Sequence, residues 1–254
     1  MYISTDGWVA AADVVIDPSY NPSRTYKLND DVNIVFVTGE GYAFDQSIKP
    51  FLQKLPKKIK LIYANTDRNF SRQMLQSVRD IVSHVYAVNC DFDDQLITKI
   101  PMGVFNPYLM DVIKPRDKTI LCYSNFWFHR DIVNAAHTCY TIAREKCSIY
   151  FSDKGFVLQE NSLAPIAYYS RMSESYFVIC PYGNGLDTYR VYEAAWWGAR
   201  PIVLSSGLDN LHLKFGAVIV KDWAEVTEEF LRNKIIEGPP NVDRRLFDVA
   251  HWLT

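Results

Sequence analysis

The chain has 254 residues, 48% of them apolar and 22% charged, with a formal net charge of −2. That is enough apolar chain to bury a large core in one or two domains, and the near-balanced charge excludes a general attraction to nucleic acid or to an anionic membrane surface. No stretch approaches the ~20 apolar residues of a membrane span, and five cysteines without a C-x-x-C pair read as reduced, buried small residues rather than a zinc site.

The opening MYISTDGWVAAADVVID lacks a basic leader region, and Asp6 and Asp13 interrupt its apolar run. It is not a signal peptide by that pattern, so a soluble, cytoplasmic protein is expected. Asp31 to Val37 is a nearly continuous apolar run, as in a strand covered on both faces. It ends in Thr38-Gly39-Glu40-Gly41, at the strand end where α/β proteins place ligands. Ser47 to Leu55 reads as a short helix, Lys60 to Ala64 as a strand ending in Asn65-Thr66-Asp67, Ser71 to Val82 as a helix and Val85 to Val88 as a strand. Ile100 to Val104 closes the first half, and Asn106 to Lys118, with Pro107 and Pro115, reads as a linker.

The second half repeats the alternation: strand Thr119 to Tyr123, helix Asp131 to Arg144, strand Ser148 to Phe151, helix Ala164 to Arg171 and strand Tyr176 to Cys180. Gly183 and Gly185 then permit a tight turn, and Leu186 to Trp197 reads as a helix capped by Gly198. Strands follow at Ile202 to Leu204 and Val218 to Val220, with a helix at Ala224 to Lys234. Beyond Pro239-Pro240, Leu246, Val249, Ala250 and Leu253 form the stripe of a terminal helix. The expected organisation is a first α/β unit over 1–112, a second over 119–238, and a helix within 239–254 packing back on the first.

A helix that follows a strand through a Gly-rich turn aims its free N–H groups and positive dipole end above the sheet, a site for phosphate. Asp187, Arg190 and Glu193, three apart, would climb one face of that helix. Arg190 would meet a diphosphate with a fixed, many-donor cation, and Glu193 would accept ribose hydroxyls. Gly183, Asn184, Gly185 and Thr188 complete the turn around the nucleotide. Asn125 and Arg130, after the first strand of the second half, would hold the second phosphate or the sugar. For a proton acceptor across the cleft, Glu40 between its glycines stands first, then Asp67, both just after expected strands, with Asp45 also on offer. Asp91-Phe92-Asp93 offers a different chemistry, a carboxylate pair holding a divalent metal on a diphosphate.

The string PYGNGLDTYRVYEAAWWGARPIV, Pro181 to Val203, resembles the donor-binding segment of exostosin-like glycosyltransferases. The resemblance continues more weakly through LIYANTD at 61–67, YAVN at 86–89 and IPMGV at 100–104, in the family's order. It implies the GT-B fold, α/β with two Rossmann-like domains facing across a cleft, and transfer of a sugar from a nucleotide diphosphate sugar. The leaving group would be UDP, the acceptor a glycan or glycoside, the displacement inverting, with no metal or other cofactor required. Compact relatives are similar to the glycan-building enzymes of large algal viruses, which suggests xylose or rhamnose as the sugar and a host cytoplasm as the location. Two alternatives stand beside it: a metal-dependent GT-A transferase built on Asp91 and Asp93, and a non-catalytic sugar-binding module.

Overall fold

The computed structural model describes residues 1–16, 31–38, 48–126 and 138–253. They form two five-stranded sheets, parallel throughout. The first half contains α1 (Thr5–Ala10), β1 (Val14–Ile16), β2 (Ile34–Thr38), α2 (Lys49–Leu52), β3 (Ile59–Ala64), α3 (Arg72–Val78), β4 (Val82–Ala87) and β5 (Ile97–Lys99). The second contains β6 (Ile120–Ser124), α4 (Thr138–Phe151), β7 (Val157–Gln159), α5 (Pro165–Glu174), β8 (Ser175–Ile179), α6 (Tyr189–Trp196), β9 (Arg200–Leu204), α7 (Asp209–Lys214), β10 (Val218–Val220) and α8 (Glu228–Ile236), followed by the terminal α9 (Val249–Trp252). Two Rossmann-like α/β halves, the expected fold class, are therefore present.

The two sheets differ in strand order, and that difference decides how the halves meet. The first runs β1-β2-β3-β4-β5, in sequence. Parallel strands laid down in one direction through right-handed crossovers put their connecting helices on one face. Leu52 of α2 and Leu75 and Val78 of α3 accordingly bury against Val35, Val37, Leu61, Tyr63 and Val85. Among the described residues, the opposite face, with Phe36, Ile62, Ala64 and Tyr86, carries no crossover helix. It joins Trp8 of α1 and the second half's Tyr192, Ala194, Ala195 and Phe215 in one continuous core. Burying each large side chain there is worth roughly 2 kcal/mol, so exposing that face would be costly.

The second sheet runs β10-β9-β8-β6-β7. The chain starts at β6, steps outward to β7, then returns to β8 on the other side, which creates a switch point between β6 and β8. Cys147 and Phe151 of α4 and Leu231 of α8 bury on one face, whereas residues of α5, α6 and α7 bury on the other. The last residues are tied to the first: Tyr2 bridges Asp248, Ile3 N–H donates to Phe247 O at 2.9 Å, and Lys60 Nζ donates to Leu253 O at 3.2 Å.

The helix expected over Ala224 to Lys234 begins only at Glu228, after a 3-10 turn at Trp223–Glu225 and an extended Thr227 N-cap, and three further expectations change. Ser148 to Phe151, rich in β-formers, continues α4 instead of forming a strand, because Cys147 and Phe151 lie one turn apart on a buried stripe. The edge strand comes later, at β7. The helix expected from Leu186 begins only at Tyr189, with Thr188 extended as its N-cap, so Asp187 is not on it. The terminal stripe is split into a 3-10 turn over Arg244–Phe247 and α9, because Asp248 is extended and its carboxylate caps Ala250 N–H. The short elements α1, β1, β5 and α7 have no counterpart in the sequence expectations.

Candidate active site

At the carboxyl ends of β6 and β8 the chain diverges, and a cavity of about 430 Å3 opens there. Asn125 and Phe126 enter it from the end of β6, and Thr188, Tyr189, Arg190 and Glu193 from the start of α6. Tyr168 and Tyr169 of α5, Arg144 of α4, and Phe105 and Asn106 from the connection between the halves complete its main walls. The place follows from topology: in open parallel sheets the strand-order reversal leaves a crevice outside the strand ends.

Arg190 is held at one donor and unsatisfied at another. Its Nε donates to Asn125 O at 2.9 Å, and its guanidinium lies 5.7 Å from the Phe126 ring centre. Nη1 is buried and has no hydrogen-bond partner among the described residues. A buried donor without an acceptor is uncommon in native proteins and asks for a missing partner. Arg144, donating from Nε to Tyr182 O at 2.7 Å, brings a second guanidinium to the same cavity. Burial, reinforced by the charge of Arg190, pushes the Arg144 guanidinium down to about 10. Thr188 makes no side-chain cap on α6, and Thr188, Tyr189 and Arg190 at that helix start line the cavity. Two cations and a helix start converge where negative charge would be favoured.

Glu193 supplies the opposite chemistry. It is 3% exposed, and its Oε1 accepts from Tyr169 OH at 2.8 Å and from Phe105 N–H at 3.1 Å. Oε2 receives only a longer contact from Tyr168 OH, 3.4 Å. Burial pushes this carboxyl above its ordinary value, against the pull of Tyr169, the Phe105 N–H and Arg190. Arg190 and Glu193 form no ion pair with each other. Glu193 is thus an oriented acceptor at the cavity wall, with lone pairs left for a hydroxyl-bearing ligand.

The remaining sequence candidates gather at the junction between the halves instead. Asp187 is 1% exposed, and four donors converge on its carboxylate: Met102 N–H at 3.0 Å, Thr188 N–H at 2.8 Å, Tyr192 OH at 2.5 Å and His212 Nε2 at 3.1 Å. Its own N–H donates to Asn89 Oδ1 at 2.7 Å, while Asn89 Nδ2 donates to Thr66 O at 2.7 Å. A methyl group at Gly185 would stand 2.6 Å from Asp67 O and 2.8 Å from Asn89 Nδ2; one at Gly183 would stand 2.8 Å from Asp187 O. The glycines thus permit close approach of protein backbone. Asn184 Nδ2 donates to Asp67 Oδ2 at 3.2 Å, holding that carboxylate at the end of β3 across from the second half. Glu40, Asp45 and Arg130 lie outside the described residues.

The carboxylate pair reads differently in three dimensions. Asp93 is 91% exposed at its side chain and bound by Lys99 at 2.7 Å; Asp91 turns its backbone toward Gly207. Among the described residues, no group of three or more His, Cys, Asp and Glu is placed to hold a metal ion. Two five-stranded parallel sheets, with a switch-point cavity whose lining includes neither Asp91 nor Asp93, leave the GT-A alternative without its fold.

Sequence reading missed Arg144, Tyr168, Tyr169 and Phe105. Tyr168-Tyr169 lies within the anticipated helix and carries the one legible cue, an aromatic pair at successive positions, so one ring can face the core and one the cavity. Arg144 offers none, because only tertiary packing brings its Nε to the Tyr182 carbonyl.

No protein-family model matches the chain, and no curated protein matches its sequence. Among solved structures it is similar to AviGT4, a glycosyltransferase involved in avilamycin A biosynthesis, at 14% identity over 86% of this chain and 79% of that one, with a TM-score of 0.39. It is also similar to a putative UDP-N-acetylglucosamine 2-epimerase from Listeria monocytogenes, at 13% identity, over 87% of this chain and 66% of that one, with a TM-score of 0.36. At these values the likeness concerns the course of the chain; the fold described above stands on strand order, and the site on its own side chains. Among the described residues, no helix is long and apolar enough to cross a membrane.

Proposed function

We propose that the protein is a GT-B glycosyltransferase of the exostosin-like kind. It takes a sugar from a nucleotide diphosphate sugar, UDP-linked, with xylose or rhamnose as the sugar, and transfers it to a glycan or glycoside. The observation that carries this reading is the Arg190 guanidinium, buried at the sheet switch point with Nη1 lacking a partner among the described residues, beside Arg144 and the open start of α6. That set of donors suits a diphosphate, and Glu193, 3 residues along the same helix, suits the ribose hydroxyls.

The reaction is a single inverting displacement. The acceptor hydroxyl oxygen bonds to the anomeric carbon as the bond from that carbon to the diphosphate oxygen breaks. The hydroxyl proton passes to Asp67, held by Asn184 on the facing side. Charge grows on the departing diphosphate, where Arg190, Arg144 and the α6 N–H groups stabilise it. Those groups supply the positive charge from the protein itself, so no metal ion is required.

A panel of nucleotide sugars screened by thermal shift, followed by turnover with glycoside acceptors, tests the reading. UDP and one UDP-sugar should raise Tm, and UDP release should depend on acceptor and survive EDTA. Absence of any nucleotide-dependent shift overturns the donor assignment. A rate abolished by EDTA and restored by manganese overturns the metal-free mechanism.

A further inference from the structure

A second cavity, of about 270 Å3, opens at the opposite edge of the second sheet, beneath the amino ends of β6, β8 and β9. It shares no lining residue with the first among those described. Lys118 just before β6, Arg200 at the start of β9 and Lys234 of α8 bring three cations to it, while Phe177, Ile235 and Pro240 give it apolar walls.

The negative charge within reach does not balance them. Glu237 is taken by Lys234, at 2.7 and 3.0 Å. Lys118 Nζ has a main-chain partner, Trp197 O at 3.0 Å, where the carbonyl end of α6 favours a cation but supplies no full charge. Arg200 donates from Nη1 to Lys234 O at 3.2 Å, and its Nε is buried without a hydrogen-bond partner among the described residues. A buried, unaccepted guanidinium donor beside apolar walls is what the inner end of an anion site looks like before its ligand arrives. Both cations are ill served as they stand: burial pushes Lys118 down to about 8 and also lowers Arg200.

We propose that this amino-edge cavity binds a compact organic anion, a phosphate or carboxylate carried on an apolar body, with the anionic head between Lys118 and Arg200 and the body against Phe177 and Pro240. A polar head alone would leave the apolar walls wet, and a neutral ring alone would leave the cations unmatched, so both parts are needed. The size limits the ligand to about a dozen or two non-hydrogen atoms, below the usual drug-sized pocket. Charged groups facing the head are Lys118, Arg200, Lys234 and Glu237.

Phenyl phosphate and benzoate are the probes, with inorganic phosphate and benzyl alcohol as the head-only and body-only controls, titrated calorimetrically into the intact chain. At least one of the two anions should bind about tenfold or more tightly than either control. Lys118→Met and Arg200→Met should each weaken it by a similar factor, whereas Arg190→Met, in the other cavity, should not. Binding near pH 8 should take up protons, because an anion restores the Lys118 charge, and should weaken as pH rises past about 8. The proton uptake needs no variant, so it decides the matter if Arg200→Met fails to fold. No binding by either anion at about 10 mM, or binding lost with Arg190→Met and kept in both amino-edge variants, overturns the proposal.

Discussion

Asp187→Asn separates a junction between the halves from a ligand contact. In the structure the carboxylate serves four donors, from Met102, Thr188, Tyr192 and His212, at 2.5 to 3.1 Å. An asparagine keeps one acceptor oxygen, able to serve two of them, and turns an NH2 donor toward the other two. His212 can shift its proton to Nδ1 and accept at Nε2, but Nδ1 is buried with no partner among the described residues, so the rescue strands a different donor. Two charge-assisted hydrogen bonds lost and two donors left unpaired come to about 5–8 kcal/mol, less a few returned because a buried charge disappears. A net of about 3–5 kcal/mol, at roughly 2–4 °C per kcal/mol for a chain of this length, lowers Tm by about 10 °C. Differential scanning calorimetry reads it, with UDP affinity of the folded protein measured well below the transition. A Tm within about 2 °C of the parent refutes the reasoning. Unchanged stability together with lost UDP binding would return Asp187 to the ligand-facing role that the sequence suggests.

Arg190→Met should cut kcat and weaken the donor, by about 3 kcal/mol in kcat/KM, since the charge it faces grows in the transition state; unaltered steady-state constants would remove it from the reaction. Glu193→Gln should chiefly raise the donor KM, because a ribose contact is equal in ground and transition states. Its stability has a sign as well. A folded carboxyl above the ordinary 4.5 means that ionisation opposes folding as pH rises from there, so the Gln variant should gain Tm over the parent on going from about pH 4.5 to pH 8. A constant difference across that range would show the carboxyl to be unburdened. Asp67→Asn should lower kcat by about a hundredfold or more while the donor KM holds; an unchanged kcat moves the base elsewhere, with Glu40 next.

The α/β alternation is legible along the chain, because continuous runs such as Ile34–Thr38 and short β-rich runs such as Ser175–Ile179 are buried on both faces and have no other stable setting. The amino-acid sequence by itself also marked the strand-turn-helix around Arg190 and Glu193, since glycines, a breaker and an apolar helix in that order carry a local physical meaning. Local pattern misplaced Ser148 to Phe151, whose β-formers yield to the buried stripe of α4. It likewise set Asp187 beside Arg190, because spacing of three signals a shared face only if the helix has begun. The tertiary structure alone decided that Asp187 turns inward to four donors, that the glycines at 183 and 185 admit backbone, and that Arg144 and Tyr169, 46 and 21 residues before Arg190, close the same cavity. Such meetings depend on strand order and on how the two sheets pack against each other, and neither is encoded in any one stretch of chain.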